Sequence, residues 1–470
     1  MAQNDLKYGN NLNEGSVAKR LIIFALPFLI SNIIQSLYSV ADMLIVGNFS
    51  ENGVVSMSGV NIGGQVTFIL TNIVLGFCVG GTILIAQHIG SKNHEALSKT
   101  ISTLITFLLI ASVVVTVFMI FFKDASLRLI QTPEESFSEA SDYLLVTVLG
   151  IIFIFAYNAL SAILRGMGDS KRPLYFVLVA CIVNIILDLV LVAGFQMGAL
   201  GAAIATVISQ AMSAILCIIY LIKHDFVFDF KPKSFKIDKK TLSNITKIGL
   251  PTAVQNAVTS ISFLFITVLV NVVGGVAASA AVGCVSKFNG FAIMPAAALS
   301  SSVSTMSAQS IGANDFDRAK KACKVGMGIA IVFSVLVFVL VQCFPEEILK
   351  IFISSNDESA NMLEEMLEKG VPYFRAFSLD YLIVPFVFCF NGLFMGAGHT
   401  MFTLINNMLC SIILRIPIAA LLGMVLEYGM LGIGFGGPAA SVGSLALILV
   451  FYFSGKWKVN KALSANRTVD

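Results

Sequence analysis

Long apolar runs separated by short polar or glycine-rich breaks are the dominant pattern along this chain. Each run is about 20 residues or longer, the length that an α-helix needs to cross a bilayer. A membrane β-barrel would instead show segments of about ten residues with alternating hydrophobicity. The pattern predicts an all-α polytopic membrane protein with twelve transmembrane helices, near residues 17–47, 53–87, 95–122, 137–162, 170–194, 197–223, 240–270, 276–309, 318–344, 358–391, 398–424 and 429–454.

Short motifs of the first six spans recur in the same order in the last six. The stretch IIFALPFLISN resembles TKIGLPTAVQN, so that Pro27 and Pro251 fall at matching places. The other matching pairs are IAQHIGS with SAQSIGA, LRGMGDS with FMGAGHT, and MGALG with YGMLG. Four matches at a nearly constant offset indicate an internal repeat.

The repeat predicts the architecture of the protein. Six spans in each half is an even number, so both halves start on the same side of the membrane and form a parallel pseudo-two-fold repeat. We predict an N-terminal six-helix lobe at 1–228, a basic cytoplasmic linker at 229–240 and a C-terminal six-helix lobe at 241–470. Two such lobes with a shared cavity suit alternating access. We also predict that Pro27 and Pro251 act as hinges, because proline removes a backbone hydrogen bond and kinks a helix.

Composition supports a membrane protein and excludes other classes. The 470 residues are 57% hydrophobic and 12% charged, whereas soluble proteins are usually about 25% charged. The polar N-terminus shows no signal peptide. The eight cysteines are scattered through apolar segments without a CxxC pair, so we expect small core residues and neither disulfides nor a metal site. No motif predicts catalytic residues or a nucleotide cofactor, so we expect a transporter driven by an ion gradient and not an enzyme.

Lysine and arginine set the expected orientation. With both termini in the cytoplasm, the inner segments carry most of the basic residues, and the outer loops hold only Lys123, Arg128, Lys350 and Lys369. This positive-inside distribution predicts a multi-pass protein of the cell (inner or plasma) membrane. We interpret the basic inner loops as topology determinants beside anionic lipid and not as a nucleic-acid site.

The first helix carries a polar stripe that ends in a carboxylate. Asn32, Gln35, Ser39 and Asp42 share one helical face, and Tyr38 lies one turn before Asp42. A charge inside a membrane helix is costly and usually functional. An interhelical hydrogen-bond seam is one interpretation, and a cavity lining is the one we favour. Gln255 and Asn256, in the matching stretch of the second half, are assigned to the same lining.

A second carboxylate, Asp188, follows Asn184 on the same face of the fifth span. From Arg172 at the inner surface, the helix rises about 24 Å to Asp188, which places it in the outer half of the bilayer. Asp42 and Thr206 lie at a similar depth. We therefore predict one cation site for H⁺ or Na⁺ from Asp42, Asn184, Asp188 and Thr206.

The second half lacks this set, because Ile266, Arg415 and Ala419 replace Asp42, Asn184 and Asp188 in the repeat. The sequence therefore places the coupling-ion site in the N-terminal lobe. Four other charged residues fall within spans of the second half. We interpret them as internal ion pairs of the C-terminal lobe, with the pairing left open: Lys287, Arg375, Asp380 and Arg415.

These motifs resemble the MATE (multidrug and toxic compound extrusion) family over essentially the whole chain. The resemblance rests on ALPFLISNIIQSLYSVADMLIVG, AQHIG with its repeat AQSIGA, LRGMGDSKRP, NIILD, MGALGAAIATVISQ and LRIPIAALLG. It is greatest to the DinF-like branch, in which an aspartate of the first helix, Asn-x-x-x-Asp of the fifth and a threonine of the sixth form a cation site. That branch also has a fourth-helix tyrosine, which corresponds to Tyr143. The NorM-like acid of the seventh helix is absent, and Leu189 stands where many members have proline.

The resemblance implies a secondary active multidrug efflux antiporter that exports amphipathic organic cations in exchange for H⁺ or Na⁺ by alternating access. Phenylalanine and methionine are abundant and offer adaptable contacts for such substrates. We expect no other cofactor, no nucleic-acid partner, contact with membrane lipid, and a monomer. A lipid-linked oligosaccharide flippase of the same superfamily is the alternative; it would need several cations for pyrophosphate. A channel is a weaker third interpretation.

Overall fold

A computed structural model gives the fold for residues 11–224, 226–352 and 360–459. This part of the chain is almost entirely helical and contains no β-strand. The helices are α1 (Val17–Phe49), α2 (Gly53–Gly90), α3 (His94–Leu129), α4 (Glu134–Leu149), α5 (Ile151–Gly166), α6 (Lys171–Asp188), α7 (Gly198–Lys223), α8 (Lys239–Gly312), α9 (Phe316–Cys343), α10 (Pro345–Phe352), α11 (Ala360–Ser378), α12 (Asp380–Gly396), α13 (Thr400–Met408), α14 (Ile416–Ala420), α15 (Gly429–Gly434) and α16 (Gly436–Phe453). The all-α membrane fold predicted from the sequence is confirmed.

The number of spans follows from how these helices break and bend. In the described ranges, nine helices are long and apolar enough to cross a membrane. Two bent pairs add one span each: α4 with α5 at 52°, and α11 with α12 at 41°. The 74-residue α8 contains one non-helical residue, Gly275, with φ 69° and ψ −158°. Counting α8 as two helices there brings the total to the twelve predicted spans.

Short π-helical segments interrupt the fifth span of both halves. The first half has one, Leu189–Gly194 after α6, and the second half has two, Leu409–Arg415 and Leu421–Val425, on either side of α14. The extra residue per turn of a π-helix changes the direction in which the following side chains point, and such segments are frequent at functional sites. The first of them begins directly after Asp188. The helix is therefore irregular at this point although Leu189, and not a proline, follows Asp188.

The described residues form two compact units. Unit 1 contains Leu26–Ala253, and unit 2 contains Leu12–Ala25 together with the chain from Val254 onward. Both divisions fall inside helices, one residue before Pro27 in α1 and two residues after Pro251 in α8. The lobe boundaries at 1–228, 229–240 and 241–470 stay a prediction.

Glycines allow the helices of unit 1 to pack closely. A Cβ at Gly63 on α2 would lie 2.8 Å from the ring of Tyr143 on α4, and one at Gly80 would lie 2.5 Å from the carbonyl oxygen of Ile245 on α8. Small residues at such contacts are the usual way in which membrane helices approach each other. The α2–α4 contact places Tyr143 against α2, beside the polar site described below.

Unit 2 has a core rich in aromatic side chains. Phe390 and Phe394 of α12 are buried with Val303 of α8 and Leu21 of α1. Trp457, after the last span, is 1% exposed and stacks on Tyr452 at 5.8 Å. The residues beyond the last span are therefore held against the helices at least as far as Trp457.

Candidate cation site

Two carboxylates of unit 1 face each other in the interior. Asp42 lies in the second half of α1, and Asp188 is the last α-helical residue of α6. The two side chains are direct electrostatic neighbours. Asp42 is 7% exposed and Asp188 is fully buried. The structure thus brings together the two acids that the sequence placed at one depth.

The polar atoms of this pair are not used by the surrounding protein. Apart from the contact between the two carboxyl groups, Asp42 Oδ1, both carboxylate oxygens of Asp188, and both side-chain polar atoms of Asn184 have no hydrogen-bond partner among the described residues. Burying a charge or an amide without a partner costs free energy. A proton or a small cation between the carboxylates would remove much of that cost, since it neutralises one charge and supplies a contact for the oxygens.

Two tyrosines complete the polar cluster. Tyr143 of α4 interacts with the side chain of Thr206 on α7 and with both acids. Tyr38, one turn before Asp42, interacts with Asp42 and with the side chain of Gln210. Gln210 belongs to this polar cluster and was not among the residues predicted from the sequence. The signal was its spacing, because Gln210 lies one turn after Thr206 on the same face of α7.

The other residues of the predicted polar stripe of α1 are more accessible than Asp42. Gln35 and Ser39 are exposed, and Asn32 is half-buried. A residue that lines a cavity must be accessible, and these positions meet that requirement. Their role as a cavity lining remains a prediction. In unit 2, Asn256 is exposed, and Gln255 has a buried Oε1 without a partner in the described chain.

The four charged residues of the second half separate into two groups. Asp380 and Arg415 are electrostatic neighbours, and Asp380 also interacts with Ser441. The Arg415 guanidinium lies over the ring of Phe263, with 4.7 Å between its carbon and the ring centroid. The side chains of Lys287 and Arg375 are exposed, and neither makes an ion pair within the described ranges. The structure therefore brings together only two of the four.

Both predicted hinge prolines lie inside helices and are buried. Pro27 is in α1, where its carbonyl accepts a hydrogen bond from the Ser31 hydroxyl at 2.8 Å. Pro251 is in the first part of α8. Neither residue can donate a backbone hydrogen bond to the preceding turn, so each helix is weakened at that point. Their role in motion remains a prediction.

Comparison with known proteins gives a consistent result. The model of the MatE family matches residues 27–190 and 251–421. The probable multidrug resistance protein YoeA of Bacillus subtilis is 30% identical over 444 residues, covering 93% of this chain and 94% of the relative. The probable multidrug resistance protein NorM of Thermotoga maritima is 27% identical over 460 residues, covering 96% of this chain and 95% of the relative.

A solved structure supports the fold. It is described as the outward-facing conformation of a multidrug resistance MATE family transporter of the MOP superfamily. It matches with a TM-score of 0.85 at 21% sequence identity, and the match covers 97% of this chain and all of the other. At this level of identity the likeness concerns the fold alone.

Proposed function

This chain belongs to the MatE family, and from that premise we propose that it is a secondary active antiporter that exports amphipathic organic cations in exchange for H⁺ or Na⁺. The relatives named as multidrug resistance proteins support multidrug efflux as the process. The ion exchange and the alternating access are our proposal. The observation that carries it is the pair of facing, buried carboxylates of Asp42 and Asp188, to which no described residue donates a hydrogen bond at Asp42 Oδ1 or at either oxygen of Asp188.

The pair works as a coupling device because its charge depends on occupancy. When a proton or Na⁺ binds, the repulsion between Asp42 and Asp188 falls, and the helices that carry them can pack differently. When the ion leaves, the repulsion returns. An ion drives transport only if the two conformations bind it with different affinity, because equal affinity shifts no equilibrium. Asn184, Thr206 and Tyr143 are proposed to complete the ligand set.

The substrate would bind at the polar face of α1 below this site. Asn32, Gln35, Tyr38 and Ser39 provide hydrogen-bonding groups there. Phenylalanine and methionine side chains would supply apolar and cation–π contacts that tolerate different shapes. Bending at Pro27 and Pro251 is proposed to change access to this region. We place the protein in the cell membrane as a monomer with both termini in the cytoplasm.

Transport by reconstituted protein tests this proposal. The purified full chain is placed in liposomes, and efflux of an ethidium-type dye is followed under an imposed pH or Na⁺ gradient. We expect gradient-dependent efflux that is lost in the double variant Asp42→Asn/Asp188→Asn. The control is Glu51→Gln, which removes an exposed carboxylate of the same unit.

Two results would contradict the proposal. If the double variant exports dye at the parental rate with the same ion dependence, the coupling site lies elsewhere and Asp380 becomes the next candidate. If the parent binds a lipid-linked pyrophosphate but no cationic dye, the flippase interpretation replaces the exporter.

A further inference from the structure

The segment between α7 and α8, which contains most of the predicted linker, is hydrogen-bonded to α3 in unit 1. The Ser102 hydroxyl on α3 donates to the carbonyl oxygens of Ser234 at 2.6 Å and Lys236 at 2.9 Å, and it accepts from the backbone N–H of Lys236 at 3.0 Å. Thr103 accepts a hydrogen bond from the Asp238 N–H at 3.1 Å. These bonds fasten the linker against the first turns of α3.

An open cavity of about 430 Å³ lies between the linker and α3. Lys233 and Lys236 line it from the linker, and Ser98 and Lys99 line it from α3. One side is apolar, since Val227 and Phe228 line it, and Phe228 is 3% exposed and packs edge to face against Phe230 and Phe235. The cavity thus combines cationic groups with an apolar wall.

The two acids that line this cavity are already engaged by the linker itself. Asp229 accepts hydrogen bonds from the Ser234 hydroxyl and the Lys231 N–H, which lower the pKa of its carboxyl group. Asp238 accepts from the hydroxyl and the N–H of Thr241, which lower its pKa as well. Both acids therefore stay ionised, and the Oδ1 of each accepts two hydrogen bonds from the linker or the first turn of α8.

The lysines are less engaged. Lys99 pairs with Glu95 at 2.6 Å on the exposed side of α3. Lys233 and Lys236 make no ion pair in the part of the chain that the structure describes, and the Ser98 hydroxyl makes no hydrogen bond there. Two ammonium groups and one hydroxyl thus line the same space, and none of the three has an ion-pair or hydrogen-bond partner among the described residues.

We propose that this cavity binds a phosphate group, with Lys233 and Lys236 as its cationic contacts and Ser98 as a hydroxyl donor. Lysine binds phosphate as a point charge and needs no fixed planar geometry, so exposed and adjustable lysines suit the task. A phosphodiester of an anionic phospholipid and a soluble phosphate share this chemistry. The apolar side formed by Val227 and the edge of Phe228 favours the lipid, whose glycerol and acyl groups would contact it.

The proposal concerns a site apart from the carboxylate pair, so its test needs no transport. The full chain is purified in detergent, and binding of a fluorescent short-chain phosphatidylglycerol is measured by anisotropy. The same measurement with the phosphatidylcholine analogue gives the background. We expect the variant Lys233→Gln/Lys236→Gln to bind the phosphatidylglycerol about thirty-fold more weakly, from the usual contribution of each lysine near an anionic headgroup.

The matched control is Lys239→Gln/Lys240→Gln, which removes the same charge from the adjoining first residues of α8, outside the cavity. We expect at most a two-fold effect from it. An equal loss in both double variants would overturn the proposal, because binding would then follow net charge alone. Unchanged binding in Lys233→Gln/Lys236→Gln would overturn it as well.

Competition separates the two sources of phosphate. If 1 mM glycerol 3-phosphate leaves phosphatidylglycerol binding unchanged, the site takes the lipid headgroup. If glycerol 3-phosphate displaces the lipid from the parent and fails to bind Lys233→Gln/Lys236→Gln, the site takes a soluble phosphate. Both results support the phosphate site and assign its source.

Discussion

The carboxylate of Asp42 on α1 faces the carboxylate of Asp188 at the end of α6. Both acids are buried, and most of their oxygens have no partner in the described residues. We predict that Asp42→Asn and Asp188→Asn each fold normally and lose gradient-driven dye efflux from proteoliposomes. An amide keeps the shape of the carboxylate but cannot bind and release a proton.

Thr206 provides a graded comparison at the same site. Its hydroxyl is a neutral group, so Thr206→Ala should weaken the ion dependence of efflux less than either acid variant. The measurement is the dependence of efflux rate on the imposed gradient. A complete loss of efflux in Thr206→Ala, with Asp188→Asn still active, would reverse the assigned importance of these groups.

Pro27→Ala tests bending of α1. The variant restores a backbone N–H, which stiffens the helix, so we expect turnover to fall by more than the affinity for substrate. The control is Pro173→Ala, because Pro173 lies in the first turn of α6, where its missing N–H has no intrahelical partner in any case. Equal turnover in Pro27→Ala and the parent would remove Pro27 from the mechanism.

Two glycines of α2 form a matched pair for stability. A Cβ at Gly80 would lie 2.5 Å from the Ile245 carbonyl oxygen, whereas a Cβ at Gly64 meets no atom within 4 Å. We expect Gly80→Ala to lower the free energy of unfolding by about 1–3 kcal/mol through overpacking. Gly64→Ala should not lower the free energy of unfolding. Thermal denaturation in detergent measures the difference. Equal midpoints for the two variants would contradict the close α2–α8 contact.

Arg318 fastens the chain before α1 within unit 2. Its guanidinium donates to the carbonyl oxygens of Leu12, Glu14 and Gly15, with Nη2 2.7 Å from the oxygen of Leu12. Arg318→Lys keeps the charge but loses most of these bonds. We expect amide exchange at Leu12 to rise about thirty-fold, which corresponds to about 2 kcal/mol. Lys321→Gln, at an exposed position of α9, should leave that exchange unchanged.

Asp238 gives a prediction for pH. Its carboxylate accepts hydrogen bonds from the Thr241 N–H at 2.7 Å and the Thr241 hydroxyl at 2.6 Å, so its pKa is lowered from 3.8. A lowered folded-state pKa stabilises this turn above the unfolded value and loses that effect as pH falls through the folded value. Amide exchange at Thr241, relative to Asp238→Asn at each pH, should show protection near pH 6 that disappears well below pH 4. Protection that persists there would contradict the charged cap.

The helices and their number could be predicted because each span is a long apolar run with clear breaks. The bends within single spans could not be predicted. The sequence predicts one span for residues 137–162, and the structure divides it between α4 and α5 at 52°. The π-helical turn after Asp188 was not predicted, because no proline or glycine marks its start at Leu189 in the sequence.

The candidate site was predicted in part for a similar reason. Helical spacing and depth were enough to group Asp42, Asn184 and Asp188, because both can be calculated from the rise of a helix. Spacing alone could not separate Arg415, which lies over Phe263, from Lys287, which is exposed. That difference depends on the rotation of each helix about its axis, which apolar residues on every face leave undetermined. Gln210 was missed although it lies one turn after Thr206, because the spacing of two residues does not show that this face of α7 turns towards Tyr38.

The membership of the two units has a consequence for biosynthesis. Unit 2 includes Leu12–Ala25, which the ribosome makes before the main part of unit 1, and unit 1 extends to Ala253, after the linker between the halves. Unit 1 therefore cannot be complete when its sixth span leaves the ribosome. The first residues of α1 therefore lack their final neighbours until the last spans have been inserted. A chain cut at the linker would yield two fragments that each lack a piece carried by the other, so the halves are expected to assemble when co-expressed and to be degraded when made alone.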